Sequence, residues 1–482
     1  MTNAKSCSSR RLFLKQTASF ACLGAGAPLA LNLAAMGSVA AQTADRYKAL
    51  VCVFLAGGND AYNTVLATDP TSWGAYTSVR SQLPSSLALA RGNVLDLNPT
   101  NSLGTGRSIG LHPKLAGLQS LFNNDRRLAI VSNIGPLIEP VTKDEYTRNA
   151  KRLPAKLMSH NDQQSAWQAL GPEGSTTGWG GRLADAVASG NSNSLFTGIS
   201  AAGNAVWVSG QSVKQYQLQP SGALRLGVQA DGSVFGSKVV GAALQRIATT
   251  AQGGAFEKDL ASIAKRSIDA EKVLSARLPS ETGAPFGPSS LLYYTKADGS
   301  RALNPLAQQL QVVARAIAAR DTIGMKRQVF FVSLPGFDTH DDQINRHADL
   351  MARLNHALVY FNNVITAMGV PDDVTTFTAS DFGRTFTSNG DGTDHGWGGH
   401  QFVMGGAVRG GTVIGDVPVY ATKNATNNRF DGSPDQLANG ALLPKISVEQ
   451  YGASLGRWFG AESVLSSVFP NLGNFSNLAL MT

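Results

Sequence analysis

The sequence predicts an α/β protein: a central, mostly parallel sheet sandwiched by helices, with its site at the strand carboxyl ends. Three observations carry this prediction. Continuous apolar runs of strand length recur at residues 47–56, 128–132, 328–334 and 374–378, as expected of strands covered on both faces. Amphipathic helical stretches lie between them, a βαβ rhythm. Three of the runs stop at acid or histidine side chains, near Asp60, Asp338 and Asp381. Open α/β sheets place their sites at such ends.

The chain has 482 residues, enough to bury a large core, and is 43% hydrophobic but only 15% charged. The net charge of +8 is partly due to Lys5, Arg10, Arg11 and Lys15, which sit in an acid-free N-terminal stretch; without them it is near +4. That is too mild to point to a nucleic-acid partner. Cys7 and Cys22 belong to the same stretch, leaving Cys52 alone in an apolar strand as a core residue with no disulfide framework.

Ser9-Arg10-Arg11-Leu12-Phe13-Leu14-Lys15 matches a twin-arginine export motif. An Ala/Gly/Leu run to about Met36 and small residues at Ser38-Val39-Ala40 complete a signal peptide over residues 1–41. Gly24, Gly26 and Pro28 weigh against the competing reading of a membrane anchor. The expected location is the periplasm or outside the cell, with no integral span after signal removal. Residues 42–482 are then read as one domain, with a loop-rich Gly/Ser/Asn insertion at 191–232.

In chain order, the first strand (YKALVCVFLA) ends at Gly57-Gly58-Asn59-Asp60, with Thr64 just beyond. Asp60 is either part of a strand-ending turn or a ligand delivered to the sheet edge. Leucines at helical spacing predict a helix over 112–123, with Pro113 in its first turn. Ser159-His160-Asn161-Asp162 opens a helix to Leu170. Ser159 there is read as a capping-box residue or as a hydroxyl at a helix N-terminus suited to attack an anionic ester. Residues 256–278 and 303–320 are predicted helices that cover the sheet. Past the strand QVFFVSL, Asp338 and His340 are two residues apart, a spacing that lets both face one metal. A long helix over 343–368 carries His347 and His356 as packing or surface residues, and a last helix spans 447–459.

Residues 376–406, TFTASDFGRTFTSNGDGTDHGWGGHQFVMGG, are the densest chemistry. A strand delivers Asp381 and Arg384, a glycine-rich loop holds Asp394, His395 and His400, and a strand resumes at Phe402. The loop is either a metal-holding segment or a hydrogen-bonded structural loop.

Together with FLAGGNDAYNTV, SHNDQQSAWQ, GWGGRLAD and GFDTH, this segment resembles the bacterial, twin-arginine-exported family catalogued as domain of unknown function 1501. That family is grouped with the alkaline phosphatase and sulfatase superfamily. The resemblance implies an alkaline phosphatase-like fold in which Asp60, Asp338, His340, Asp381 and His395 hold one or two divalent ions (Zn, Mn, Mg or Ca). Phe382 stands where a histidine is usual in the superfamily, and the sulfatase pattern Cys-x-Pro-x-Arg is absent. The implied activity is metal-dependent hydrolysis or transfer of phosphate or sulfate esters, on a small molecule or a polymer. Ser159 would be the nucleophile and Thr64 the weaker candidate, while His160, Arg384 and His400 would neutralise the transferred group. The alternative is a non-catalytic envelope protein on the same fold that binds a surface polymer or a partner protein.

Overall fold

The computed structural model describes residues 46–482 except 83–84, 224–227, 230, 252 and 297. The expected signal peptide and cleavage site, with Cys7 and Cys22, lie outside the described residues. Lys48–Thr482 forms one compact unit.

Ten strands make the main sheet. They are β1 (Lys48–Ala56), β2 (Leu128–Gly135), β3 (Gly198–Ser200), β4 (Tyr216–Gln219), β5 (Gly222–Ala223), β6 (Arg327–Pro335), β7 (Val374–Ser380), β8 (Gly399–Met404), β9 (Val413–Ile414) and β10 (Ile446–Ser447). Their order is β9-β2-β8-β7-β1-β6-β3-β4-β5, with β10 also on β2. The pairs β1/β6, β1/β7, β6/β3 and β3/β4 are parallel. The sheet is mixed, because β8 runs antiparallel to both β7 and β2, and β5 antiparallel to β4. The reversal follows from the connection. After β7 the chain folds a hairpin, Arg384–Ser388 against Thr393–His395, and returns directly, where a parallel neighbour would require a crossover helix.

The centre of the sheet is apolar on both faces. In β1, Leu50, Cys52 and Phe54 face a cluster that includes Trp179, Trp207, Phe377 and Tyr451. Cys52 is buried and free, as expected of a small core residue. On the first of these faces lie the helices Trp179–Val187 and Val448–Phe459; elsewhere the long helix Gln343–Ala367 packs against Pro305–Ala318, which contacts β6. Among the described residues no helix is long and apolar enough to cross a membrane.

Within 191–232, β3 and β4 extend the main sheet beyond β6, and Val206–Val208 forms a short 3₁₀ turn. One sequence expectation changes. The helix expected from His112 begins only at Ala116, because the His112 ring accepts from the Lys114 amide and holds the chain in a turn.

Register positions the site. Leu55 lies beside Leu334 of β6 and Ser380 of β7, so three parallel strands end level with one another. Residues 57–60, 336–340 and 381–384 therefore emerge side by side. Gly57 and Gly58 allow the crossing: both have positive φ, and a Cβ would lie 2.3 Å from the Asp338 amide nitrogen at Gly57 and 2.3 Å from the Phe382 ring at Gly58.

Candidate metal centre

Asp338, three residues past β6, is the hub. Arg384, fully buried at the start of the hairpin, donates from Nη1 to Asp338 Oδ1 at 2.8 Å. The guanidinium is fixed by Gly57 O at 3.3 Å, Thr393 O at 2.5 Å and Thr393 Oγ1 at 3.3 Å. Partial burial pushes the Asp338 pKa up, but the Arg384 bond and charge outweigh it and hold the carboxylate below its usual range. Its side chain is still 43% exposed.

Three imidazoles converge on this carboxylate. His160, the first residue of the helix His160–Ala169, places Nε2 3.4 Å from Asp338 Oδ2. His395 Nε2 is 3.2 Å and His340 Nε2 3.0 Å from Oδ1, and these two nitrogens are 3.0 Å apart. The far nitrogens decide the tautomers. His395 Nδ1 lies 2.8 Å from the Met158 carbonyl, which only accepts, so Nδ1 carries the proton. His160 Nδ1 lies 2.7 Å from Asp381 Oδ2 and is likewise a donor. Asp381 is buried and anchored by the Gly57 amide at 3.1 Å and Gln164 Nε2 at 2.8 Å.

In the neutral rings, the Nε2 lone pairs of His160 and His395 therefore point at a carboxylate. That arrangement is repulsive unless a proton or a cation lies between them. The Asp381 bond raises the His160 pKa, while burial lowers that of His395. One ligand atom each from His160, Asp338 and His395 fall within 4.8 Å of one another. His395 Nε2 approaches Asp338 Oδ1 at 3.2 Å and His160 Nε2 approaches the other oxygen, Oδ2, at 3.4 Å, each close to the roughly 3.3 Å between two ligand atoms on a tetrahedral ion with arms of ~2.0–2.1 Å. A carboxylate and a carbonyl behind the two histidines is the outer-shell pattern of metal-ligating imidazoles. The donor set fits Zn²⁺ or Mn²⁺ better than the oxygen-seeking Mg²⁺ or Ca²⁺. Phe382, 4.8 Å from the His160 ring and 4.5 Å from the His395 ring, packs beneath them.

The other expected residues are placed differently. Asp60 does not join the group. Its carboxylate is buried and takes a two-pronged ion pair from Arg80 at 2.5 and 3.0 Å, plus Gln343 Nε2 at 2.6 Å and the Tyr62 amide at 3.2 Å. A guanidinium already neutralises it. Asp381 supports His160 from behind, and His340 approaches from the exposed side. Thr64 is sealed in the core, 2.8 Å from Asp60 O and 3.0 Å from Asn59 Oδ1, so its hydroxyl cannot reach a substrate. His400 is buried against Ser132 and the Asn133 amide, and burial pushes its pKa down to about 4. It is neutral at pH 7 and brings no positive charge to an anion. Arg384 is committed to Asp338 and Thr393 and is fully buried, which removes it as a substrate contact.

Ser159 occupies the cap position of its helix, but its hydroxyl makes no cap bond to the backbone; it donates to Asp162 Oδ2 at 2.8 Å. It lies between Met158, whose carbonyl holds His395, and His160. His347, expected as a packing residue, is buried with its pKa lowered to about 4, and half-buried His356 meets the Asn304 amide. Sequence reasoning missed Gln164, Arg80 and the Met158 carbonyl. It assigned His160 to the substrate, and the structure sets the ring between Asp381 and Asp338.

Residues 47–468 match the family described as "Protein of unknown function (DUF1501)". The chain belongs to this family. The span matched by DUF1501 contains the whole centre, from Gly57 to His395. No curated protein matches the chain. Similar solved structures include the PsFucS1 sulfatase from Pseudoalteromonas sp., with 9% identity and a TM-score of 0.31 over 79% of this chain and 66% of that one. Another is the phosphonate monoester hydrolase SpPMH from Silicibacter pomeroyi, with 9% identity and a TM-score of 0.29 over 72% and 68%. A mutant of the alkaline phosphatase PafA has 13% identity and a TM-score of 0.24 over 70% and 64%. The chain thus spans about two thirds of the length of each of these enzymes. Likenesses this loose carry no argument about chemistry, which rests on the DUF1501 chain's own residues.

Proposed function

We propose that this protein is an exported, metal-dependent hydrolase or transferase of phosphate or sulfate esters in the cell envelope. The observation that carries the reading is the convergence of the His160 and His395 lone pairs on Asp338, each ring oriented from behind. The twin-arginine motif supports export to the periplasm or beyond.

His160, His395 and Asp338 would hold the ion, with His340 completing the set from the exposed side. A divalent ion there supplies Lewis acidity to an ester oxygen and lowers the pKa of a nearby hydroxyl or water. The Asp381 carboxylate and Met158 carbonyl keep the ring protons on Nδ1. Arg384 holds Asp338 in one rotamer. Ser159 Oγ would attack phosphorus or sulfur, its proton passing to Asp162, the carboxylate it already touches. The ester bond to the leaving alkoxide breaks, the alkoxide taking a proton from solvent; water or an acceptor alcohol then displaces Ser159 from the group, losing its own proton to solvent, and Ser159 recovers its proton from Asp162.

One observation favours the second reading, a non-catalytic protein that binds a surface polymer or a partner. Arg384 already satisfies one oxygen of Asp338, and Asp60 is neutralised, which reduces the charge left for an ion. Two measurements separate the readings: plasma-emission metal content of wild type, Asp338→Ala and His160→Ala, and turnover of p-nitrophenyl phosphate and sulfate. The hydrolase reading expects metal near one per chain that is lost in both variants, and turnover abolished by Ser159→Ala. Metal without turnover of any ester favours the binding protein, and no metal removes the mechanism.

A further inference from the structure

Behind the centre runs a line of fully buried polar groups that no ligand role explains. Arg80, Asp60, Gln343, Thr393 and Arg384 are all at 0% exposure. Gln343 is the unusual member. It is the first residue of the helix Gln343–Ala367, where a glutamine normally faces water, yet both ends of its amide are used inside the protein.

The bonds have one consistent polarity. Asp60 is ionised against Arg80 and only accepts, so the Gln343 NH₂ faces it at 2.6 Å. The Gln343 carbonyl oxygen must then face Thr393. Thr393 Oγ1 donates to it at 2.6 Å, and its one proton is spent. The threonine lone pairs are left to accept from Arg384 Nε at 3.3 Å. Arg384 Nη1 in turn donates to Asp338 Oδ1 at 2.8 Å. Reversing any member would set donor against donor or acceptor against acceptor. A buried polar chain of this kind is worth most when every member is satisfied.

We infer that Arg80, Asp60, Gln343 and Thr393 form a positioning relay that fixes the Arg384 guanidinium and, through it, the Asp338 carboxylate of the metal centre. The inference rests on the metal reading given above. Asp60 then acts on the ion without touching it: its charge sets the orientation of an amide, the amide that of a hydroxyl, and the hydroxyl that of the guanidinium.

The test is a Co²⁺ titration of metal-stripped, signal-free protein, followed by visible absorption, for wild type, Thr393→Val and Thr393→Ser. Valine keeps the volume and removes the acceptor for Arg384, whereas serine restores it. The relay predicts Co²⁺ affinity lower by roughly 10–100-fold in Thr393→Val, the usual cost of an outer-shell loss, and recovery to within about threefold in Thr393→Ser. Urea unfolding of the metal-free proteins separates this from instability, since a purely structural role moves the midpoint and leaves the affinity unchanged. Equal affinity in wild type and valine variant overturns the relay. Absence of Co²⁺ binding by wild type instead overturns the metal reading. The relay is then decided by the Arg384 Nε–H resonance of the metal-free protein, which must be exchange-protected in wild type and serine variant and exposed or shifted in valine. An unchanged resonance overturns it.

Discussion

Asp60 and Asp338 follow the ends of two adjacent parallel strands, β1 and β6, that stop in register. Their side chains meet opposite fates. Asp60 is sealed at 0% exposure with Arg80 as a built-in counter-ion, while Asp338 stays 43% exposed among histidine nitrogens and receives only one guanidinium bond. The difference lies in what reaches each strand end. The last residue of the helix Pro70–Arg80 returns beneath Asp60, between the Tyr62 and Phe386 rings at 5.1 and 5.8 Å. Asp338 is instead approached by the N-terminus of the helix that begins at His160 and by the hairpin that ends at His395. A carboxylate at a strand end becomes structural or ligand-like according to whether its neighbours seal it or leave an oxygen open, not its position in the sheet.

The comparison breaks most sharply at Arg80. Arg80→Met leaves Asp60 buried and unpaired, with an expected loss of about 3–5 kcal/mol in urea unfolding. Asp338→Asn, which keeps an oxygen for Arg384 on a half-exposed side chain, is expected to cost far less. Comparable losses would show that the Asp60 corner is not the structural one.

Acid titration gives an effect of about the same size at each of two further buried groups. His347 and His400 are buried with pKa values of about 4, against 6.5 in an unfolded chain. The unfolded state takes up these protons first, so stability is complete above pH 6.5 and falls as pH drops towards 4, by about 3 kcal/mol for each histidine. His400→Gln should flatten part of that slope in unfolding curves measured across this window.

The proposed metal binding would act on the Asp338 corner alone. At a free concentration 100 times the Kd, Zn²⁺ should stabilise wild type by about 2.7 kcal/mol, and a chelator should reverse this. Asp338→Ala should show no shift in melting temperature with Zn²⁺. A persisting shift would move the ion elsewhere.

The smallest effect on stability is at Ser159. Its hydroxyl bonds Asp162 rather than a backbone amide. Ser159→Ala should therefore cost less than the ~1 kcal/mol of a lost helix cap. A full cap-sized loss would mean that the hydroxyl is needed to hold the helix start.

Much of the fold was legible because burial on both faces writes itself as uninterrupted apolar runs. β1, β6 and β7 begin and end within about two residues of their predicted bounds. The placement of Asp338, Asp381 and His395 at the sheet edge was legible for the same reason, since each follows or precedes a strand or hairpin that fixes its place. The placement of His160 was hidden. Its ring reaches Asp338 only because the helix start is docked through Gln163 and Gln164 onto Asp381, a long-range contact with no local signal. Arg80 was hidden likewise: nothing in residues 70–80 says that their last side chain turns inward. The direction of β8 has no signal in the sequence, because its apolar run looks the same in either orientation.

The most direct test is anomalous diffraction at the Zn edge from crystals of the zinc-loaded, signal-free protein. One peak within about 2.0–2.2 Å of the Nε2 atoms of His160 and His395 and of an Asp338 oxygen is the predicted result. A peak beside Asp60, or zinc-loaded crystals with no peak at these three residues, would contradict the account.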